Sequence, residues 1–290
     1  MKKLTFLLLI AVLVTLGNAP MGKPTSEVIL DASQVTSALD IEHAIDIATA
    51  YGTRPGVVTL DSSKGKFEYA AGVDRSINIY FSNITLRSMN RATIGNCDDG
   101  VFFDDMTTDN IVIEGVAFGC LGGHAVYAPF LSQHHNVILR NNYFESGIYP
   151  AIDILQGDYW TITGNQILSL GIGIFLNETG GTLIRNNMIQ ANIGVVLYNS
   201  GYDNRVLNNN ITAWWRGVVL SGKTLGNKIT GNQFDRIQDS GIVFTDIVAG
   251  NRVTGNQITC WPEVKCTAVT ADPINYEQNK IAGNKVVKGK

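Results

Sequence analysis

The chain has 290 residues, 45% of them apolar and 16% charged, with a formal net charge of −3 at pH 7. This apolar share argues against disorder, and the absence of a basic surplus argues against bulk nucleic-acid binding. The 30 Gly and 26 Asn predict very frequent turns, because both residue types tolerate a positive φ, and so exclude a helical bundle.

The first 22 residues have the layout of a secretory signal peptide. Lys2 and Lys3 precede an apolar run from Leu4 to Leu16, which is shorter than the roughly 20 residues that span a membrane. We predict a signal peptide over residues 1–22; the sequence leaves open where it is cleaved and whether it instead stays as an anchor. The protein is then secreted, periplasmic or on the cell surface, with no membrane span after signal removal.

An N-terminal cap is predicted at about residues 28–70. Residues 37–51 have apolar side chains at helical spacing, and Gly52 ends the pattern. Strands are expected around residues 57–60 and 67–70. A cap is needed because the end of a stacked repeat exposes strand edges and an apolar cross-section.

A short motif repeats along most of the chain. Its nearly identical copies are residues 162–167, 229–234 and 253–258, each with a central Thr-Gly-Asn. The aligned asparagines recur every 22–28 residues and are Asn142, Asn165, Asn187, Asn209, Asn232, Asn256 and Asn284. After each of them comes a small residue followed by alternating apolar positions, as in residues 173–176.

Each repeat therefore holds short strands separated by Gly and Asn corners, with no room for a helix. Such a unit predicts an all-β fold, a single-stranded right-handed parallel β-helix (solenoid) with an N-terminal capping helix, over residues 23–287. Coils should lie about 4.8 Å apart. The stacked Asn side chains should bond to one another and occupy the left-handed corner conformation.

Over about residues 28–287 the chain resembles the pectin-lyase-like superfamily in its generic parallel β-helix repeat form. Similar repeats occur in carbohydrate-binding and sugar-hydrolysing domains and in NosD-like periplasmic proteins. The resemblance implies a polysaccharide partner on an outer sheet face. The longer catalytic signatures of pectate lyases, polygalacturonases and alginate epimerases are absent, and Asp272-Pro273 matches only the start of an epimerase motif.

Departures from the repeat cluster in the early coils. Asp99, His124, Tyr127 and Asp153 should lie within two or three coils, or about 5–10 Å of stack. A carboxylate, an imidazole and a phenol together support acid–base work on a sugar. We predict these four as catalytic, with His124 or Tyr127 as base or acid and the two Asp holding a cation or the substrate. The alternatives are a sugar-binding groove without catalysis and solvated polar loops.

Further residues are predicted to bind substrate. Aromatic side chains that could stack on sugar rings are Tyr149, Trp160, Trp214 and Trp215. A basic stripe beside the first motif, which could bind an anionic polymer, is Arg140, Arg185, Arg205, Lys228, Arg252 and Lys280, with Arg140 and Arg185 chosen as substrate-binding residues. The alternative for the stripe is that its charges keep an exposed sheet soluble.

Export would make the four Cys disulfides, and of three pairings we favour Cys97 with Cys120 and Cys260 with Cys266. Buried free thiols are the alternative. Asp104 and Asp105 are candidate calcium ligands, because Ca²⁺ prefers several oxygen ligands. No cofactor is otherwise implied.

The sequence thus favours a secreted carbohydrate-binding protein, as a polysaccharide lyase or hydrolase acting on an acidic polymer if it is an enzyme. Two alternatives stay open. One is a non-enzymatic surface or envelope protein that presents its loops to another protein. The other is a NosD-like periplasmic factor for metal-centre assembly, which rests on fold analogy alone.

Overall fold

The computed structural model describes residues 26–69, 76–104, 107–130, 133–246 and 248–287, so the predicted signal peptide lies outside the described residues. Within these ranges the chain is a stack of short parallel strands with helices at its two ends. The α-helices are α1, Ala38–Thr49, and α2, Pro273–Gln278, and the 3₁₀ turns are Ala32–Gln34 and Ser62–Lys64.

One strand of each coil joins a first sheet, which has eleven parallel strands among the described residues. Its strands are Ser26–Asp31, Gly56–Asp61, Ile84–Met89, Val112–Glu114, Ile138–Arg140, Thr161–Thr163, Leu183–Arg185, Arg205–Leu207, Lys228–Thr230, Arg252–Thr254 and Lys280–Ala282.

A second sheet takes the remaining strands of each coil, 17 in the described part of the chain. They are Phe67–Glu68, Ile77–Ile79, Thr93–Gly95, Val101–Phe103, Ala117–Cys120, Val126–Ala128, Tyr143–Ser146, Ile152–Ile154, Gln166–Ser169, Ile172–Asn177, Met188–Tyr198, Asn210–Ser221, Gln233–Ile237, Ser240–Phe244, Gln257–Cys260, Thr267–Thr270 and Lys285–Val287. Two smaller sheets are His134–His135 with Gly157–Asp158 and Thr179–Gly180, and Thr224–Leu225 with Val248–Ala249.

Coils stack with equivalent residues in register, which confirms the predicted solenoid. In the first sheet Leu139 pairs with Ile162 and Ile162 with Ile184, and all three are fully buried. Because side chains alternate along a strand, such stacked columns fill the interior while their neighbours face outward. The core is therefore a continuous column rather than a central cluster.

The predicted Asn ladder is present. The Asn165 Oδ1 accepts hydrogen bonds from the Asn142 backbone N–H at 2.9 Å and from its Nδ2 at 3.2 Å, and the Asn142 Nδ2 also donates to the Ile113 carbonyl. The same pattern continues through Asn187, Asn209, Asn232, Asn256 and Asn284. Each buried amide is thus satisfied by the adjacent coils.

The expected left-handed conformation falls one residue earlier than we predicted. Asn141 and Asn186 have φ of 57° and 54°, and Gly164 and Gly231 take the same place in other coils, whereas the ladder residues that follow them are not left-handed. The preceding residue makes the corner, which leaves the ladder Asn free to point inward.

A second Asn ladder, which was not predicted, lies at another corner. The Asn227 Oδ1 accepts from the Asn204 backbone N–H, and the Asn251 Oδ1 accepts from both the backbone N–H and the Nδ2 of Asn227. Asn279 extends the ladder. Each of these residues lies five positions before a residue of the first ladder. The second ladder therefore has the same repeat spacing in the sequence and could have been predicted from it.

Both ends of the solenoid have helices. The predicted capping helix is confirmed as α1, which begins with a capping box between Ser37 and Asp40, but the strand Ser26–Asp31 before it was not predicted. Near the other end, the Asp272 Oδ1 accepts from the Asn275 backbone N–H, and Pro273 is the first residue of α2. The Asp-Pro pair is therefore a helix start.

The structure confirms both favoured disulfides, Cys97–Cys120 and Cys260–Cys266. Disulfides persist in oxidising compartments, so they are consistent with an extracellular location. Across the residues that the structure describes, no helix is long and apolar enough to cross a membrane.

Candidate functional site

Three of the four predicted catalytic side chains meet in one chain of contacts on the outside of the second sheet. The His124 Nδ1 lies 2.9 Å from the Asp99 Oδ1, and the His124 Nε2 lies 3.2 Å from the Asp153 Oδ2. The three residues come from three successive coils. Stacking therefore brings together residues that are 25 and 29 positions apart in sequence.

A glycine makes this approach possible. The His124 backbone N–H also donates to the Asp99 Oδ1, at 2.8 Å. A Cβ atom on Gly123 would lie 2.6 Å from that same oxygen and 1.9 Å from the Asp98 carbonyl oxygen. Any larger residue at 123 would push the two coils apart and break the pair of contacts to Asp99.

The fourth residue, Tyr127, lies directly beside this chain. It pairs in register with Asp153 on the next strand, and its ring stacks on the His124 imidazole with centroids 4.6 Å apart. Burial, together with the negative charges of Asp153 and Asp99, raises the pKa of the Tyr127 phenol. Tyr127 is therefore protonated at neutral pH and can donate a proton.

His124 is held as a cation. Its burial disfavours the charged form, but hydrogen bonds to Asp153 and Asp99 and their negative charges outweigh that effect and raise the pKa of His124 to about 9. A protonated imidazole with both N–H groups on carboxylates can neither accept a proton nor reach a substrate with a free nitrogen. In this geometry His124 is not placed to act as a base, which is one of the two roles predicted for it.

Asp153 is the member of the cluster with a free acceptor. Its Oδ2 contacts His124, whereas its buried Oδ1 has no hydrogen-bond partner among the described residues. The residue is 8% exposed. An unpaired buried carboxylate oxygen is costly unless something binds it. The cluster thus offers one oriented carboxylate beside one protonated phenol.

The predicted substrate-binding aromatics divide into two groups. Tyr149 is partly exposed with its ring 5.2 Å from that of His124, and Trp214 and Trp215 are each 42% exposed. Trp160, in contrast, is fully buried, packs against Phe103 and donates its Nε1–H to the His134 carbonyl. The prediction that Trp160 stacks on sugar from a loop is therefore wrong: the side chain points into the core.

The predicted basic stripe separates into two columns of the first sheet. Arg140 and Arg185 share one outward column, in which Arg140 forms an ion pair with Glu114 at 2.6 Å. The other outward column holds four basic residues in successive coils, Arg205, Lys228, Arg252 and Lys280. None of these four forms an ion pair with any residue in the described ranges.

The calcium prediction stays a prediction. Asp105 lies outside the described residues. In the described part of the chain, no group of three His, Cys, Asp or Glu side chains is arranged to hold a metal ion.

Comparison with known proteins gives one family match. The family described as "Right handed beta helix region" matches residues 124–258, a little under half of the chain. The search of curated proteins found no match.

Several solved structures are similar at low identity. The A-module of the mannuronan C-5 epimerase AlgE4 from Azotobacter vinelandii is 14% identical over 89% of this chain and 94% of that one, with a TM-score of 0.45. The Dettilon tailspike protein is 12% identical over 90% and 59%, with a TM-score of 0.48. The Streptococcus pneumoniae surface protein and adhesin PfbA is 12% identical over 90% and 100%, with a TM-score of 0.43.

The in-register coils, the Asn ladders and the family match agree with one another. Together they show that the chain folds as a right-handed parallel β-helix.

Proposed function

We propose that this protein is exported, binds an extended polysaccharide across the outer face of the second sheet, and cleaves it at Asp153. The observation that carries the proposal is the Asp153 carboxylate beside the protonated Tyr127, next to the exposed Tyr149. The Asp153 Oδ1 is buried and has no hydrogen-bond partner among the described residues, so a substrate must displace neighbouring side chains to reach it. Glycosidic bond cleavage needs a proton acceptor and a proton donor at one place.

In this proposal Asp153 is the base and Tyr127 the acid. In eliminative cleavage of a uronate polymer, the Asp153 carboxylate takes the proton next to the sugar carboxylate. The released electron pair forms the ring double bond as the glycosidic C–O bond breaks, and the leaving oxygen takes the Tyr127 proton. His124 positions Asp153 through its Nε2, and Asp99 fixes the His124 ring through the Nδ1. In hydrolysis the same carboxylate would instead activate water.

The four-cation column lies on the first sheet, away from Asp153, and favours an acidic polymer as the partner of the protein as a whole. Arg205, Lys228, Arg252 and Lys280 recur at about 4.8 Å intervals, the spacing of parallel strands. A positive row on a protein of net charge −3 raises the local concentration of a polyanion.

The test is a screen of polygalacturonate, alginate and glycosaminoglycans for unsaturated products by ultraviolet absorbance and for new reducing ends. Asp153→Asn and Tyr127→Phe should each lower the turnover rate by about 10²-fold or more. Asp109→Asn is the matched control, because Asp109 also pairs with a His, the Nδ1 of His135 at 3.1 Å, outside the cluster. Full activity of Asp153→Asn would overturn the assignment.

Binding without cleavage is a second candidate, favoured by the engagement of both His124 nitrogens in an ion pair. Under it, Asp153→Asn weakens retention of the protein in a polysaccharide gel, and no product forms with the parent protein. If Asp153→Asn loses neither retention in the gel nor product formation, both candidates are removed.

A further inference from the structure

A groove of about 470 Å³ lies at a corner of the solenoid. None of the residues that line it belongs to the Asp153 cluster. Two tyrosines, Tyr159 and Tyr202, lie in it with 63% and 68% of their surface exposed. Its volume falls within the range of ordinary small-ligand sites.

The backbone at Tyr159 is unusual. In seven other coils the equivalent corner position is left-handed, and the residues there are Asn83, Asn110, Asn136, Gly181, Asp203, Gly226 and Gly250. These are the residue types that tolerate this conformation, whereas a bulky aromatic residue at φ 59° is disfavoured. The corner would form with less backbone strain if residue 159 were Asn or Gly. The backbone conformation therefore does not explain why a tyrosine is present. Disfavoured backbone of this kind concentrates at functional sites.

Both rings rest on a glycine of the next coil. A Cβ atom on Gly181 would lie 2.6 Å from the Tyr159 Cδ1, and a Cβ atom on Gly226 would lie 3.5 Å from the Tyr202 Cδ1. Each ring therefore lies against bare backbone on one side, with its remaining surface open to solvent. This support fixes the rings before any ligand binds.

The spacing of the rings suits a chain of sugar units. Asp158 pairs with Gly180, and the Gly181 N–H donates to the Tyr202 carbonyl, so the two tyrosines are two coils apart. Two coils correspond to about 10 Å along the axis, the length of a short oligosaccharide segment. Both aromatic platforms can therefore contact one ligand that runs parallel to the axis.

The charge of the groove selects the kind of sugar. Its lining includes three carboxylates, Asp158, Glu178 and Asp203, and no basic side chain. Carboxylates accept hydrogen bonds from hydroxyl groups and repel other anions. The groove is therefore suited to an uncharged, hydroxyl-rich ligand and unsuited to the acidic polymer proposed for the Asp153 face.

We propose that this groove binds a neutral oligosaccharide, with sugar rings lying on Tyr159 and Tyr202 and hydroxyl groups donating to Asp158, Glu178 and Asp203. The site differs from the one proposed at Asp153 in its corner of the solenoid, its residues and the charge of its ligand. It would tether the protein to an uncharged glycan independently of any cleavage.

The test uses the full chain and affinity electrophoresis in gels that contain neutral glucans, mannans or galactans, followed by calorimetric titration with the matching oligosaccharides. Tyr159→Asn and Tyr202→Ser should each weaken binding at least tenfold, because stacking on a ring is lost. Asp153→Asn should bind as the parent protein does, which separates failure here from failure of the cleavage site. Tyr51→Ala is the matched control, since Tyr51 is 67% exposed and left-handed but lies at the end of α1.

Tyr159→Asn also separates binding from folding. Asn suits the left-handed corner, so its urea midpoint should equal or exceed that of the parent protein while affinity falls. The proposal is overturned if no neutral glycan binds, if both tyrosine variants bind as the parent does, or if the groove variants lose a polyuronate instead of a neutral sugar.

Discussion

The early and late coils of the second sheet use one outward column in two ways. In the late coils this column carries Val196, Val219 and Val243, which pack on one another and on Phe175 at the boundary. In the early coils the same column carries Tyr127 and Asp153. Because the backbone register is the same, the fold does not require polar residues there. The fold alone therefore does not explain the polar residues of the early coils, which is why we place the proposed site there.

The first sheet shows a similar contrast. In its N-terminal half the arginines are neutralised across strands, Arg87 by Glu27 at 2.8 Å and Arg140 by Glu114. In its C-terminal half the four-cation column has no such partners in the described residues. Like charges on adjacent strands destabilise a sheet, so the C-terminal half carries a cost that the N-terminal half avoids.

The largest expected effect concerns the scaffold that both regions share. Asn232→Ala should lower the free energy of unfolding by at least about 3 kcal/mol, because it leaves the buried Asn209 backbone N–H and Nδ2 without their acceptor. Urea unfolding followed by circular dichroism measures this. Asn210→Ala, one residue after Asn209 and exposed, is the control. Equal effects of the two substitutions would refute the ladder's role.

Removing the disulfide of the early coils should cost more stability than removing the one in the late coils. Cys97–Cys120 closes 23 residues between two coils, and Cys260–Cys266 closes only 6. On the loop-entropy account, replacing the first pair with Ser should cost about 3 kcal/mol and replacing the second about 2 kcal/mol. Thermal unfolding of the two double variants checks this. The reverse order would show that the late bridge is the more important one.

Two histidines should respond to pH in opposite directions. The pKa of His124 is raised to about 9, so its contribution to stability is complete below pH 6.5, the ordinary value, and is lost as pH rises through about 9. Burial and the neighbouring His135 charge lower the pKa of His134 to about 4, although Asp109 opposes them. Its contribution is complete above pH 6.5 and is lost as pH falls towards 4.

Imidazole titration by NMR measures both values directly. A His124 that titrates near 6.5 would mean that the contacts to Asp99 and Asp153 do not hold it as a cation in solution.

The smallest expected effect tests the first-sheet contrast. Lys228→Gln removes one like-charge neighbour from the four-cation column and should raise the free energy of unfolding by a few tenths of a kcal/mol, up to about 0.5. Arg140→Gln breaks an exposed pair and should lower it by a similar amount, about 0.5 kcal/mol. Urea midpoints of the two variants would show the opposite signs. The same sign for both would remove the contrast.

The repeat made most of the fold predictable, because a solenoid places the same residue type at the same corner in every coil. Seven regularly spaced asparagines predicted the first ladder. Asn204, Asn227 and Asn251 recur at the same spacing and would have allowed the second to be predicted. Helix α2 was missed, because it lies after Cys260, where the repeat loosens. The direction of one side chain was less predictable: Trp160 follows a corner, and only the observed register shows that it points inward.

The candidate site was predictable in its members and not in their roles. Coil alignment placed Asp99 beside His124 and Tyr127 beside Asp153, since equivalent positions stack. Which nitrogen faces which carboxylate depends on the close approach at Gly123, and no periodicity reports that distance. The basic stripe was predicted as one set of residues. Because side chains alternate along a strand of three residues, Arg140 and Lys228 lie in different columns.

The most direct test of the difference between early and late coils replaces a polar residue of the early column with the valine found in the late column. Asp153→Val gives the column the residue type that it has at position 196, and the cleavage rate on the best polysaccharide from the screen is then measured beside far-ultraviolet circular dichroism. We expect an unchanged spectrum and a rate lower by about 10²-fold or more. A variant that is folded and fully active would contradict the assignment of function to the early coils.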